Sequence, residues 1–332
     1  MKDFKNQTKT IEDIKSYVKE DLEQIEKLLK QAVSNSSQLT LEVSERIFAS
    51  GGKRIRPMLS ILSGKLFNYT SAELYHLATA VELIHTATLL HDDVVDDSSM
   101  RRGKQTANDI YGHKTPILVG DCLFAESFKS MVRAKSLDSL KILAHASSLI
   151  SEGEVRQLEL TKHKTYSKTV YLEIITAKTA ELFGAATESA AVLAGRSSGE
   201  TKILKEFGIN LGIAFQIIDD VLDYSANNSK LGKNLGDDFF EQKITLPIIL
   251  LHKNSTKSEK TELEALFCKA KPSKDDLNYI ISWLSDKEIN AQCFDYAKVF
   301  LKEAINSLHA FPQNDSRNVL ESICYIAISR TH

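Results

Sequence analysis

Apolar residues recur every three or four positions along most of this chain. Between Thr10 and Val33 the series is Ile11, Ile14, Val18, Leu22, Ile25, Leu28 and Leu29. That spacing predicts an amphipathic helix. The same pattern predicts helices over about 40–49, 55–67, 71–98, 115–135, 138–161, 168–194, 200–224, 244–253, 257–269, 274–284, 286–309 and 314–330. Five prolines (Pro57, Pro116, Pro247, Pro272 and Pro312) fall where helices should start or stop. Thr70-Ser71-Ala72-Glu73 has the form of a capping box for the helix that follows. No stretch alternates as a strand would, and no repeat of fixed period is visible. The longest polar break runs from Ser225 to Lys243, and a loop that long in a helical domain is often functional. The pattern predicts an all-α fold, with residues 1–332 forming one domain of stacked antiparallel helices.

Composition narrows the function classes. The chain has 332 residues, is 42% hydrophobic and 26% charged, and carries a formal charge of −2. That is ample for a globular core and too close to neutral for a dedicated nucleic-acid binder. Cys122, Cys268, Cys293 and Cys324 are not closely paired, so no zinc site or disulfide framework is indicated and a reducing, cytoplasmic compartment fits. The first residues lack the apolar core of a signal peptide. No apolar run approaches the ~18 residues of a membrane span. Contact with a membrane surface stays open.

Two acidic stretches stand out. Leu89-Leu90-His91-Asp92-Asp93-Val94-Val95-Asp96-Asp97 closes one long apolar segment. On a helix, Asp92 and Asp96 share a face, and His85 lies on the same stripe seven residues earlier. A solvated acidic helix end is the plainer explanation of such a run. Yet acids at a helix C-terminus oppose the macrodipole. Phe215-Gln216-Ile217-Ile218-Asp219-Asp220-Val221-Leu222-Asp223 repeats the arrangement, with Asp219 and Asp223 on one face. Gly208 and Gly212 lie on that side too, either as a cavity wall or to let another helix pack closely. Two Asp-Asp-x-x-Asp ends that faced each other would hold several divalent cations, a cluster suited to neutralising a diphosphate.

Basic residues complement them. Gly51-Gly52-Lys53-Arg54-Ile55-Arg56-Pro57 combines glycines, three cations and a helix start, features that bind phosphate. Alone it could be a charged turn. Met100-Arg101-Arg102-Gly103-Lys104, Lys178-Thr179, Lys233 and Lys243 are further candidates. There is no Walker loop, no G-x-G-x-x-G and no G-x-S-x-G. Glu73-x-x-His76 and Glu82-x-x-His85 share one helix, whereas a di-iron bundle needs them on two.

In order, Gly51-Gly52-Lys53-Arg54-Ile55-Arg56-Pro57, Glu82-Leu83-Ile84-His85-Thr86-Ala87, Asp92-Asp93-x-x-Asp96, Arg101-Arg102-Gly103-Lys104, Gly120-Asp121, Gly153-Glu154, Lys178-Thr179-Ala180, Phe215-Gln216-Ile217-x-Asp219-Asp220-x-x-Asp223 and Thr245-Leu246-Pro247 resemble the trans-prenyl diphosphate synthases. The likeness is greatest to the long-chain octaprenyl and solanesyl branch. It covers about residues 40–250, with a helical part from 251 to 332 that fits more loosely. One departure is Glu241-Gln242-Lys243, where the family usually has Glu-Gly-Lys.

The resemblance implies an isoprenoid-synthase-like bundle around a central cavity, in a homodimer. It implies Mg²⁺-dependent condensation of an allylic diphosphate, such as farnesyl diphosphate, with successive isopentenyl diphosphate units. Asp92 and Asp96 would hold two Mg²⁺ and Asp219 a third, with Asp220 and Asp223 in support. Arg101, Lys178, Thr179, Gln216, Lys233 and Lys243 would contact the allylic substrate. Lys53, Arg56, His85 and Arg102 would hold isopentenyl diphosphate. Short-chain members carry a bulky aromatic just before the first acidic cluster, where this chain has the small Ala87 and Thr88. A long apolar tunnel would then bury a product of about C35 to C45, as for a quinone side chain. Phe128, Met131 and Val132 are candidates for the tunnel floor, or simply core. A short-chain synthase, a terpene cyclase and a non-catalytic partner subunit are the competing readings. The Lys53/Arg56 pair argues against the cyclase, and two complete acidic clusters argue against the subunit.

Overall fold

The computed structural model describes residues 10–50, 52–225 and 235–329. Helices dominate. An N-terminal pair, α1 (Ile11–Tyr17) and α2 (Lys19–Val33), replaces the single helix expected there. The chain breaks at Val18, whose φ of −110° leaves helical geometry, although its side chain is buried like those of Ile14 and Ile25. Next come α3 (Gln38–Phe48), α4 (Ile55–Lys65) and the central α5 (Ala72–Val95). The cap of α5 is Ser71, whose hydroxyl accepts from the Leu74 amide. It lies one residue later than the expected Thr70 box, and Glu73 pairs instead with Lys135 at 2.9 Å.

A two-stranded hairpin follows, β1 (Met100–Arg101) with β2 (Lys104–Gln105). Its strands are too short for an alternating pattern. The turn residues Arg102 and Gly103 both have positive φ, at 51° and 74°, as a tight hairpin turn requires. Arg46 donates to the Gln105 carbonyl at 3.0 Å and Lys104 to the Ala49 carbonyl at 3.0 Å, so the hairpin is fastened to the end of α3.

After the short α6 (Ala107–Tyr111), α7 (Lys114–Arg133) runs back along α5. His91 meets the Ile117 carbonyl at 3.1 Å and Ser130 donates to the His76 carbonyl at 3.0 Å, which fixes the pair as antiparallel. The helical run then continues through α8 (Leu137–His163), α9 (Lys168–Ile175), a π turn (Thr176–Ala180) and α10 (Glu181–Leu193) to α11 (Ser198–Asp223). Gly208 and Gly212 serve close packing. A Cβ on Gly208 would stand 2.5 Å from the Phe183 carbonyl, and one on Gly212 would stand 2.6 Å from the Ala180 Cα. They are not a cavity wall. The remaining helices are α12 (Asp237–Phe240), inside the expected polar break, then α13 (Leu246–Lys253), α14 (Lys257–Leu266), α15 (Lys274–Asp286), α16 (Ile289–Leu308) and α17 (Asp315–Ser329). Of these, α16 packs along α11, and α17 touches α1, α4 and α11. No helix among the described residues is long and apolar enough to cross a membrane.

Candidate active site

Both acidic motifs sit at helix C-termini, as the pattern predicts. Asp92 and Asp93 lie in the last turn of α5 and Asp96 is its C-cap. Asp219, Asp220 and Asp223 lie in the last turn of α11. Within each pair the second aspartate turns inward. Asp93 is buried and accepts from Arg101 Nε at 2.7 Å. Asp220 is buried and accepts from Gln216 Nε2 at 2.7 Å and from the Tyr171 hydroxyl at 2.6 Å. Burial pushes the Asp220 carboxyl well up, and nearby Asp238 adds to the shift. Asp92, Asp96 and Asp219 are only half-buried. Asp223 is buried, and its Oδ2 accepts from the Asp238 amide at 3.0 Å.

The two helix ends face common basic groups. Arg56 is held by burial at about 10, against the opposing pull of Glu82, Asp219 and Asp92, so carboxylates of both motifs lie within electrostatic reach of one guanidinium. Arg56 lies over the Phe183 ring at 4.6 Å, and its Nη1 is 3.0 Å from His85 Nε2. Burial and the positive charges of Arg56, Arg102, Arg101 and Arg54 hold the His85 pKa well down. Arg102 stands beside Gly52, where a Cβ would come 3.3 Å from its Nη1. Arg56, His85 and Arg102, three of the four residues expected around isopentenyl diphosphate, therefore form one cluster. The fourth, Lys53, leads into the same turn.

The residues expected around the allylic substrate come from several elements, with Arg101 on β1 beside Arg102. Lys178 and Thr179 sit in the π turn, a feature that often marks functional positions. Gly153 lets that turn approach α8, since a Cβ there would stand 2.9 Å from the Ala177 Cβ. Lys178 pairs with Glu154 at 2.7 Å, and the Thr179 hydroxyl donates to Gln216 Oε1 at 2.8 Å. Lys243 bridges Asp96 at 3.0 Å and Glu241 at 2.6 Å. Lys233 lies outside the described residues.

Glu154 and Glu241 had no assigned role in the sequence reading, nor did Phe183. Burial raises both acids to about 7, with Lys178 and Lys243 opposing and Asp96 reinforcing. The carboxylates beside the two helix ends thus outnumber the lysines paired with them. Hard oxygen donors with surplus negative charge suit Mg²⁺. Among the described residues no three acidic, histidine or cysteine side chains gather on one point.

Gln242 explains the departure from Glu-Gly-Lys. Its φ is 56°, in the region that favours glycine. Its side chain works there: Lys164 Nζ donates to Gln242 Oε1 at 3.0 Å and to its carbonyl at 3.1 Å, and Gln242 Nε2 donates to the Lys269 carbonyl.

The chain-length candidates divide. Ala87 is buried and Thr88 half-buried, with the Thr88 hydroxyl donating to the His85 carbonyl at 2.8 Å. Met131 is buried, but Phe128 is 42% exposed and Val132 66% exposed. In the single chain these two lie on the outer face of α7, because only one side of that helix packs on α5.

The Polyprenyl synthetase family model matches residues 37–284. The chain belongs to that family. It is a prenyltransferase. Octaprenyl diphosphate synthase of Haemophilus influenzae is 34% identical over 325 residues, covering 97% of this chain and 98% of the relative. The Escherichia coli octaprenyl diphosphate synthase is 41% identical over 239 residues, 72% of this chain and 74% of the relative. Among solved structures, a polyprenyl synthase from Caulobacter crescentus complexed with calcium and isoprenyl diphosphate superposes with a TM-score of 0.94 at 39% identity, covering 98% of this chain and 99% of that one. The all-α fold is that of the polyprenyl synthases.

Proposed function

We propose that this polyprenyl synthase condenses an allylic diphosphate, starting from farnesyl diphosphate, with successive isopentenyl diphosphate units. The all-trans product would be of about C35 to C45, its tail held by burial of hydrocarbon. The observation that carries this reading is Arg56, which contacts His85 and lies within reach of carboxylates from both acidic motifs. A second diphosphate site beside the acidic chamber fits a two-substrate condensation and gives a cyclase no use.

Arg56, His85, Arg102 and Lys53 would hold isopentenyl diphosphate, with neutral His85 leaving the cationic work to the arginines. Lys178, Thr179, Gln216, Arg101, Lys233 and Lys243 would hold the allylic diphosphate. Asp92 and Asp96, with Asp219 and with Asp223 in support, would be the oxygen donors for three Mg²⁺ ions. Bound Mg²⁺ would supply the positive charge that stabilises the leaving diphosphate. The allylic C–O bond breaks to give a carbocation, and the double bond of isopentenyl diphosphate forms the new C–C bond. The departing diphosphate takes the proton then lost, so no side-chain base is assigned. Named relatives that make octaprenyl chains, together with the small Ala87, support the long product over the short-chain alternative. A product of that size suits a quinone side chain.

Exposed Leu118, Phe128 and Val132 on α7, with Leu137, Val155 and Leu158 on α8, support a homodimer in which a second copy covers this face. The test of function is product analysis. Purified protein is given farnesyl diphosphate, labelled isopentenyl diphosphate and Mg²⁺, with and without chelator. A metal-dependent ladder ending in a single long product is expected. Arrest at one or two additions would refute the long tunnel, and absence of incorporation would refute the condensation.

A further inference from the structure

Arg54 and Arg56 grip α5 one turn apart. Arg54 Nη1 donates to Glu82 Oε1 at 2.6 Å, and Arg56 Nη1 lies 3.0 Å from His85 Nε2. The two guanidiniums are differently committed. Arg54 also donates from Nε to Glu26 Oε1 at 2.6 Å and from Nη2 to the Phe48 carbonyl at 3.0 Å. Every nitrogen of its fork is therefore engaged, by α2, the end of α3 and α5. Arg54 is 11% and Glu82 5% exposed at the side chain. Arg56 instead meets an imidazole and an aromatic face, and its buried Nε has no partner. Arg56 thus keeps a donor with no protein partner to offer a diphosphate. To reach Arg54 it would have to displace two carboxylates.

We propose that the Glu26–Arg54–Glu82 triad is a positioning device for the isopentenyl diphosphate site, fixing the turn that presents Lys53 and Arg56. This rests on the assignment of Arg56 and His85 to that substrate. Arg54 stands at φ 53° and ψ 33°, just before the first turn of α4. That left-handed conformation is unfavourable for an arginine and persists only where its surroundings hold it. Lys53 precedes it and Arg56 follows within the same turn, so this one backbone conformation sets the direction of both. The three bonds from Arg54 supply the restraint. Without them the turn relaxes and Arg56 loses its register against His85. Displacement of a binding group by a fraction of an ångström weakens a preorganised site. Glu26 lies on α2, ahead of residue 37 where the family match begins. The restraint thus comes partly from outside the segment that bears the motifs.

Steady-state kinetics of R54Q and E26Q, with each substrate varied in turn, test this. R54Q should raise KM for isopentenyl diphosphate about tenfold, and E26Q about threefold, while KM for farnesyl diphosphate stays within about twofold. Glu26 is 39% exposed at the side chain, so E26Q is expected to fold and decides the matter alone if R54Q does not. Wild-type KM values, or equal rises in both, would overturn the positioning role. R56Q is the control. If R56Q raises KM for isopentenyl diphosphate and the other two do not, only the positioning inference fails. If R56Q leaves it unchanged, the substrate assignment fails and the inference with it.

Discussion

His85 is surrounded by positive charge yet must share a hydrogen bond with Arg56, which only a neutral imidazole can accept. Burial and four arginines keep its folded pKa well below the ordinary 6.5. The sign follows. Above about pH 6.5 the ring is neutral in both folded and unfolded chains and nothing is lost. As pH falls below that value the unfolded chain takes up a proton that the folded chain refuses, so stability declines by up to about 1.4 kcal/mol per pH unit. Urea midpoints of wild type and H85Q between pH 7.5 and 5.5 should therefore converge as pH falls. Parallel curves would mean that His85 takes up its proton as readily in the fold as in the unfolded chain. The stripe of His85, Asp92 and Asp96 was legible in the sequence as helical spacing. The inward turn of Asp93 and Asp220 was not, because helical spacing places a residue on a face without naming its partner. Arg101, Gln216 and Tyr171, which hold them, come from distant parts of the chain.

At the scale of elements, α5 carries the site at its C-terminal end and antiparallel α7 lies beside it. Ser130, two residues beyond Phe128, binds the carbonyl of His76, which is eleven residues, or about 16 Å along the helix, before Ala87. If the growing chain runs along α5 from Asp92, a ring at position 87 blocks it early. Ala87→Tyr should shorten the product to a few additions, read by chromatography of the dephosphorylated lipids. An unchanged chain-length distribution would refute a path along α5. The pairing of α10 with α11 depends on bare backbone. Gly212→Leu would force a side chain to within 2.6 Å of the Ala180 Cα and should cost about 3 kcal/mol, seen as a lowered thermal midpoint. Helix positions were read well from periodicity. The break at Val18 and the π turn were not, since both leave the apolar rhythm intact, and the hairpin at Arg102-Gly103 was not, since its two-residue strands are too short to alternate.

The whole molecule joins its ends to its middle. The N-terminal helices bury Ile14, Ile25 and Leu29 completely. On α2, buried Asp21 pairs with Lys65 of α4 and accepts from the Tyr75 hydroxyl at 3.0 Å, while Glu26 holds Arg54. Deleting residues 1–36 would strip Lys65 and Arg54 of these partners and lose the burial of Ile14, Ile25 and Leu29, each worth about 1.5–3 kcal/mol. Denaturant unfolding of the shortened protein should show a much lower midpoint or no cooperative transition. A wild-type midpoint would mean that the N-terminal helices are dispensable. The all-α architecture was legible because helical rhythm runs through nearly every segment. The ion pairs that tie distant segments together were not, since a lone Glu26 in a charged helix looks like any other surface acid. The consequence reaches into descent. The family model opens at residue 37, but the partner of its turn lies eleven residues upstream. A lineage free to vary Glu26 is not free to keep Arg54 as it is, so the two positions should be inherited as a pair, one on either side of that opening.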